Sequence, residues 1–163
     1  NRACRRDDLQ AVYIPDICPQ TFLTSDHSLS MVAGEFVEVY AKQRAEWDAV
    51  LTAFFIDTAK NVLLYIRTIA NLLKPFGLWA NVGPLLYHYK DLGDGASIEL
   101  SWEEVRPAIR QYFDIKEERR CQMHYVACPS SLQKTLYRCV FFAAVRNTVP
   151  AFGRSSEEHI SHA

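Results

Sequence analysis

Apolar residues recur along this chain in two rhythms. Residues 49–56 (AVLTAFFI) and 78–82 (LWANV) are nearly continuous apolar runs, the mark of strands covered on both faces rather than on one. Between them Val62, Ile66, Ile69 and Leu73 fall on one helical stripe, with Leu63 and Ala70 beside it. Asp57-Thr58 closes the first run and can cap that helix. Lys74-Pro75-Phe76-Gly77 stops the helix with a basic last turn, a proline and a glycine.

Weaker signals flank this unit. Residues 29–33 (LSMVA) predict a short strand ending at Gly34. Residues 35–45 predict an amphipathic helix, with Phe36, Val39 and Tyr40 at three-to-four spacing. Downstream, Ser101 and Glu104 form an S-x-x-E capping box for a helix carrying Trp102, Val105, Ile109 and Tyr112 on one face. Residues 115–127 and 136–145 then predict two strands. The whole reads as an α/β pattern of parallel strands joined by crossover helices. Residues 1–28, with Pro15 and Pro19, predict an extended arm or insertion; residues 29–149 predict the folded part; residues 150–163 predict a disordered tail.

Length and composition narrow the function. At 163 residues the chain is one domain's worth, with 49% hydrophobic and 23% charged residues. Eighteen basic against nineteen acidic side chains leave a net charge of -1, without the basic excess that phosphate-backbone binding needs, so no nucleic-acid partner is expected. No apolar run reaches the roughly 18 residues of a membrane-spanning helix, so no membrane partner is expected either. Five cysteines at irregular spacing, Cys4, Cys18, Cys121, Cys128 and Cys139, predict free thiols in a reducing compartment.

Candidate chemistry sits at strand ends, because open α/β sheets bind ligands beyond the carboxyl ends of their strands. Asp57 follows the first run, so it is a helix cap, a pocket wall, or both. His88, within Leu85-Leu86-Tyr87-His88-Tyr89, follows the second run past Gly83-Pro84 and belongs to the same edge. Cys121, His124 and Cys128 superficially suggest zinc. Strand alternation would send the two cysteines to opposite faces, so no metal is expected. By the same alternation Tyr125 shares the face of Cys121. None of the six glycines forms a G-x-G-x-x-G phosphate loop, and no G-x-S-x-G elbow is present.

The blocks SMVAGEFVEVY, WDAVLTAFFIDTAKN, LKPFGLWANVGPLLYHY and SIELSWEEVRPAI, with YIPDICP upstream, resemble the carnosine N-methyltransferase family over about residues 9–146. The resemblance implies a partial Rossmann-like class I methyltransferase sheet. It holds strands three to seven with their crossover helices, in the family order 3-2-1-4-5-7-6. Strands one and two, with the acidic glycine loop that grips the cofactor, should lie upstream, so the chain is expected to be a piece of a longer protein. The resemblance places the imidazole dipeptide on Asp57, His88 and Tyr125, and the adenine side of S-adenosylmethionine on Glu35 and Phe36. Departures from the family pattern fall at Glu35, Ala49, Lys60 and Phe76.

The implied activity is methylation of an imidazole nitrogen in a histidine-containing dipeptide, carnosine to anserine, with this segment inactive in isolation. Two alternatives stand beside it: a non-catalytic interaction module that keeps the fold, and a protein-histidine methyltransferase. The expected location is the cytoplasm, with the nucleus as a second compartment, and a homodimer is the expected assembly of the intact protein.

Overall fold

The computed structural model describes residues 11, 13–18, 21, 29–91, 97–125 and 132–151. In chain order the elements are α1 (Phe36–Tyr40), β1 (Trp47–Ala53), a 3-10 turn (Ile56–Thr58), α2 (Val62–Leu72), β2 (Leu73–Gly83), α3 (Trp102–Tyr112), β3 (Phe113–Met123) and β4 (Tyr137–Arg146). One four-stranded sheet results, in the order β1-β2-β4-β3. That is the 4-5-7-6 half of the expected order.

The expectation of parallel strands holds for only one pair. β1 and β2 are parallel, but β4 is antiparallel to both β2 and β3. β3 and β4 pair along their length as antiparallel neighbours, Phe113 opposite Arg146 and Met123 opposite Tyr137, and among the described residues no crossover helix lies between them. The strand expected at residues 29–33 is absent. Those residues have no ladder partner among the described residues, and Met31 is 97% exposed. The helix expected over residues 35–45 stops at Tyr40. Gly34 ahead of it has φ +155° and lies so close to Val39 that any Cβ would meet Cγ2 at 2.5 Å.

The stop signal at residues 74–77 acts as a bulge rather than a loop. β1 pairs Trp47 with Leu73 and then Ala49 with Leu78, so four residues bow out of the ladder between them. Phe76 at φ +67° forms the bow. The paired stretch from Leu78 onward is the predicted strand. β3 runs from Phe113 to Met123 and β4 from Tyr137 to Arg146, each within a few residues of expectation. Most of the expected arm and the tail from residue 152 lie outside the described residues; Ala151, the last described, is buried.

The core lies between the sheet and the α2–α3 layer. Trp79 of β2 meets Phe142 of β4 edge-on at 4.8 Å and Phe113 at 5.1 Å, and Trp102 of α3 stacks on Phe142 at 5.7 Å. The predicted stripe of α2 is fully buried here, as are Val105 and Ile109 of α3. Glu118 of β3 fastens α3 by accepting from Trp102 Nε1 (2.9 Å) and Arg106 Nε (2.7 Å). Within the sheet, Trp79 Nε1 donates to Thr52 Oγ1, which donates to Asn81 Oδ1 at 2.8 Å. This chain of hydrogen bonds ties β1 to β2. Among the described residues nothing packs over the opposite face of β1. Leu51 is 75% exposed there, so the reading of residues 49–56 as a strand covered on both faces is corrected to one covered on a single face. The paired strand also ends at Ala53 rather than Ile56.

Arg146, 7% exposed at the end of β4, has no carboxylate partner among the described residues. Its guanidinium donates instead to carbonyls of Ala70 (2.6 Å), Tyr112 (3.1 Å), Asn147 (2.6 Å) and Val149. Ala70 and Tyr112 close the last turns of α2 and α3. One cation therefore satisfies orphan carbonyls at two helix C-termini, where positive charge is favoured. Arg146→Met keeps the apolar stem but strands these buried acceptors. It is expected to lower the unfolding free energy by about 3 kcal/mol. An unchanged urea midpoint would show that water replaces the guanidinium at no cost.

Candidate active site at the carboxyl ends of β1 and β2

Parallel pairing puts the carboxyl ends of β1 and β2 side by side, and the chain leaves β1 by an abrupt turn. Phe54 has φ +50°, a left-handed conformation that costs a non-glycine residue roughly 1 kcal/mol or more. Its N–H still donates to the Val82 carbonyl at 2.8 Å. Gly83 makes room: a Cβ there would sit 3.1 Å from the Phe54 backbone. The 3-10 turn that follows directs Asp57 toward the segment after β2.

Asp57 is 2% exposed. Its Oδ2 accepts from the Leu86 N–H at 3.1 Å, and its carbonyl accepts from the His88 N–H at 3.1 Å. Burial pushes the carboxyl above its ordinary range; the Leu86 N–H, its own backbone and the charge of His88 pull the other way. Asp57 does not cap α2. Asn61 does, its Oδ1 accepting from the Leu64 N–H at 3.1 Å. The turn at Phe54 moves the helix start downstream and leaves the buried Asp57 carboxylate to the backbone of the segment after β2.

His88 is exposed, and Tyr87 beside it is buried, its hydroxyl donating to the Leu100 carbonyl at 2.7 Å. Burial raises the Tyr87 phenol above its usual value. Tyr87 thus anchors the segment while His88 faces solvent. Tyr89 lies under the Lys60 ammonium at 5.2 Å.

Tyr125 is not on a strand, because β3 ends at Met123; the alternation argument does not reach it. It arrives at the same edge by another route. Its ring packs against Phe54 at 5.0 Å, and Tyr137 of β4 meets Phe54 at 5.5 Å. The site therefore gathers Asp57, Phe54, His88, Tyr125 and Tyr137. Sequence reasoning missed Phe54 and Tyr137. An aromatic forced into a left-handed turn leaves no trace in hydrophobic periodicity. His124 Nδ1–H donates to the Thr135 carbonyl at 2.8 Å, which occupies that nitrogen. Among the described residues no group of three or more His, Cys, Asp or Glu is arranged to hold a metal ion; Cys128 lies outside them.

Glu35 and Phe36 open onto different hollows. Glu35 is the N-cap of α1, its Oε2 accepting from the Glu38 N–H at 2.9 Å. It lines a cavity of about 420 Å³ with Lys60, Tyr65 and Tyr89. Phe36 packs on Phe55 at 5.1 Å and Tyr65 at 5.0 Å. It lines a groove of about 410 Å³ along the outer edge of β1, with Trp47, Ala49 and Phe55. The aromatic wall of that groove suits a flat heterocycle.

A family model for carnosine N-methyltransferase matches residues 1–148. The rat carnosine N-methyltransferase is 41% identical over 138 residues, 83% of this chain and 34% of the relative. The fission yeast Schizosaccharomyces pombe counterpart is 43% identical over 121 residues, 72% of this chain and 32% of the relative. The chain thus spans about a third of the length of the curated relatives it matches. Among solved structures, a SAM-dependent methyltransferase from Methanosarcina mazei overlays with a TM-score of 0.47 at 12% identity, covering 64% of this chain and 61% of that one. The N-methyltransferase NodS from Bradyrhizobium japonicum, in complex with S-adenosyl-L-homocysteine, overlays at 0.41 and 14% identity, covering 62% and 46%. With the family model spanning nearly the whole sequence, this chain belongs to the carnosine N-methyltransferase family.

Proposed function

We propose that these residues form the substrate-holding part of an S-adenosylmethionine-dependent methyltransferase acting on the imidazole of a histidine-containing dipeptide, carnosine in the first instance. The observation that carries this reading is Asp57: a carboxylate buried at the joint end of two parallel strands, with one oxygen committed to the Leu86 N–H. Only neutral imidazole has a nitrogen lone pair to spend on a methyl group. A carboxylate accepting the other ring N–H fixes the tautomer and stabilises the cation that forms as the new N–C bond is made. His88 is suited to orient the dipeptide by hydrogen bonding, and Tyr125, resting on Phe54, to pack against the ring. Positioning of this kind is the main protein-side requirement of an in-line displacement.

S-adenosylmethionine, when bound, supplies the electrophilic methyl on a sulfonium sulfur. Of the residues present, Phe36 and its groove fit the adenine ring. Glu35 lies beside it on the neighbouring cavity, its carboxylate accepting from the Glu38 N–H and hydrogen-bonded to Tyr65.

The test is a chimera in which residues 1–163 replace the matching third of the rat relative. Incubation with S-adenosylmethionine and carnosine should give a product methylated on an imidazole nitrogen, read by mass spectrometry. A folded chimera that binds the cofactor yet methylates histidine only within proteins would overturn the dipeptide assignment. One that methylates neither would leave the interaction-module reading standing.

A further inference from the structure

Cys121 and Cys139 lie directly opposite one another in the antiparallel β3–β4 ladder, between the Arg120–Val140 and Gln122–Arg138 pairs. Directly opposed residues point to the same face. Their Cα atoms stand about 4.5 or 5.5 Å apart according to ladder position, inside the roughly 4.4–6.8 Å that a disulfide spans. Both are free thiols. Cys121 is half-buried, whereas Cys139 is 1% exposed. From this juxtaposition we infer that Cys121 and Cys139 form a redox-responsive thiol pair, closing to a cross-strand disulfide when the chain meets a small disulfide oxidant of the glutathione type.

The environment assigns an order to the two sulfurs. Cys139 makes only a weak 3.8 Å contact with the Tyr137 carbonyl. Burial, then the neighbouring Cys121 and Asp57, hold its thiol above the ordinary value. It is therefore a poor first nucleophile, and the more accessible Cys121 enters first. Its thiolate attacks one sulfur of the oxidant, breaking that S–S bond and releasing one thiol. Cys139 then gives up its proton and attacks the Cys121 sulfur, releasing the second thiol. One S–S bond is broken in the oxidant, one is formed in the protein, and two thiols leave.

The consequence is local. β3 leads into Tyr125 two residues past its end, and β4 begins at Tyr137, both packed on Phe54. A bridge at 121–139 ties together the two strand ends that carry these rings.

The experiment needs no assigned activity. Residues 1–163 are incubated with oxidised glutathione, remaining thiols are alkylated, and a non-reducing digest is mapped by mass spectrometry. A peptide joined through Cys121 and Cys139 is expected as the dominant product. Its yield should exceed any bridge involving Cys4, Cys18 or Cys128 by about tenfold, because the sheet holds the two sulfurs at high effective concentration. In concentrated urea that preference should vanish. Cys121→Ser, at a half-buried position, should abolish the bridge while leaving the melting of the reduced chain unchanged. A stable glutathione adduct on Cys121, with Cys139 fully alkylatable on unfolding, would overturn the pairing. So would a yield that urea leaves unaltered.

Discussion

Asp57→Asn is expected to cut methyl transfer to carnosine by at least about a hundredfold, the usual range for removing a group that manages a proton in the transition state. The measurement is turnover of the rat chimera and of its Asp57→Asn form. Asparagine keeps the shape and can still accept from the Leu86 N–H through its oxygen, so the pocket survives. What it loses is the negative charge opposite the ring N–H. The loss should therefore fall mainly on kcat, because the charge matters most once the imidazole becomes cationic. KM for S-adenosylmethionine should stay within a few-fold. Near-normal turnover would remove Asp57 from the mechanism.

The same substitution should move stability the other way. Burial raises the Asp57 carboxyl in the folded chain, so the folded state favours the protonated form. Such a group contributes stability below its unfolded value, near 3.9, and loses that contribution as pH rises through the folded value. At neutral pH the ionised carboxylate is thus held against its preference. Asp57→Asn, neutral at every pH, should melt at the same temperature as the parent or higher at pH 7–8. Its advantage should shrink as pH falls toward 4. A variant both less active and less stable at neutral pH would mean that the carboxylate serves the fold rather than the chemistry.

Residues 1–163 expressed by themselves are expected to self-associate. β1 has β2 as its only neighbour among the described residues, and it carries no charge from Ala49 onward. Natural sheet edges are short, charged or bulged to prevent pairing with another chain. The groove along this edge is lined by Phe36, Trp47 and Val50, and Leu51 is largely exposed beside it. A second copy meeting β1 edge to edge would satisfy its unpaired backbone and cover these side chains. Light scattering coupled to size exclusion should give a mass at or above twice 18.7 kDa. Leu51→Lys should shift the population toward monomer without changing the sheet, since the side chain already faces solvent. A monodisperse 18.7 kDa species for the parent chain would remove the argument. The rat chimera, which supplies the remaining two thirds of the relative, should not share the defect.

Much of this architecture is written in local pattern. The α2 stripe, the capping box at Ser101 and Glu104, and the paired stretch from Leu78 follow from spacing alone, because a helix or strand buries residues at its own period. The strand-end argument likewise brought Asp57 and His88 to one edge, since it needs only the direction of two parallel strands. The departures are all long-range. Residues 29–33 have strand composition but no ladder partner among the described residues, and a strand is defined by its neighbour. β4 runs antiparallel to both of its neighbours, β2 and β3, a relation set by pairing across space. Asp57 became a buried acceptor for the Leu86 N–H rather than a helix cap because Phe54 adopts a left-handed turn over Gly83. That conformation is stabilised by packing on Tyr125 and Tyr137, some 70 and 80 residues away in sequence. Sequence by itself determined the periods of the main helices and strands and set Asp57 and His88 beyond the ends of two parallel strands. The pairing of strands, the burial of the carboxylate and the meeting of Cys121 with Cys139 were decided only by the tertiary structure, because each depends on what lies opposite in space rather than next in the chain.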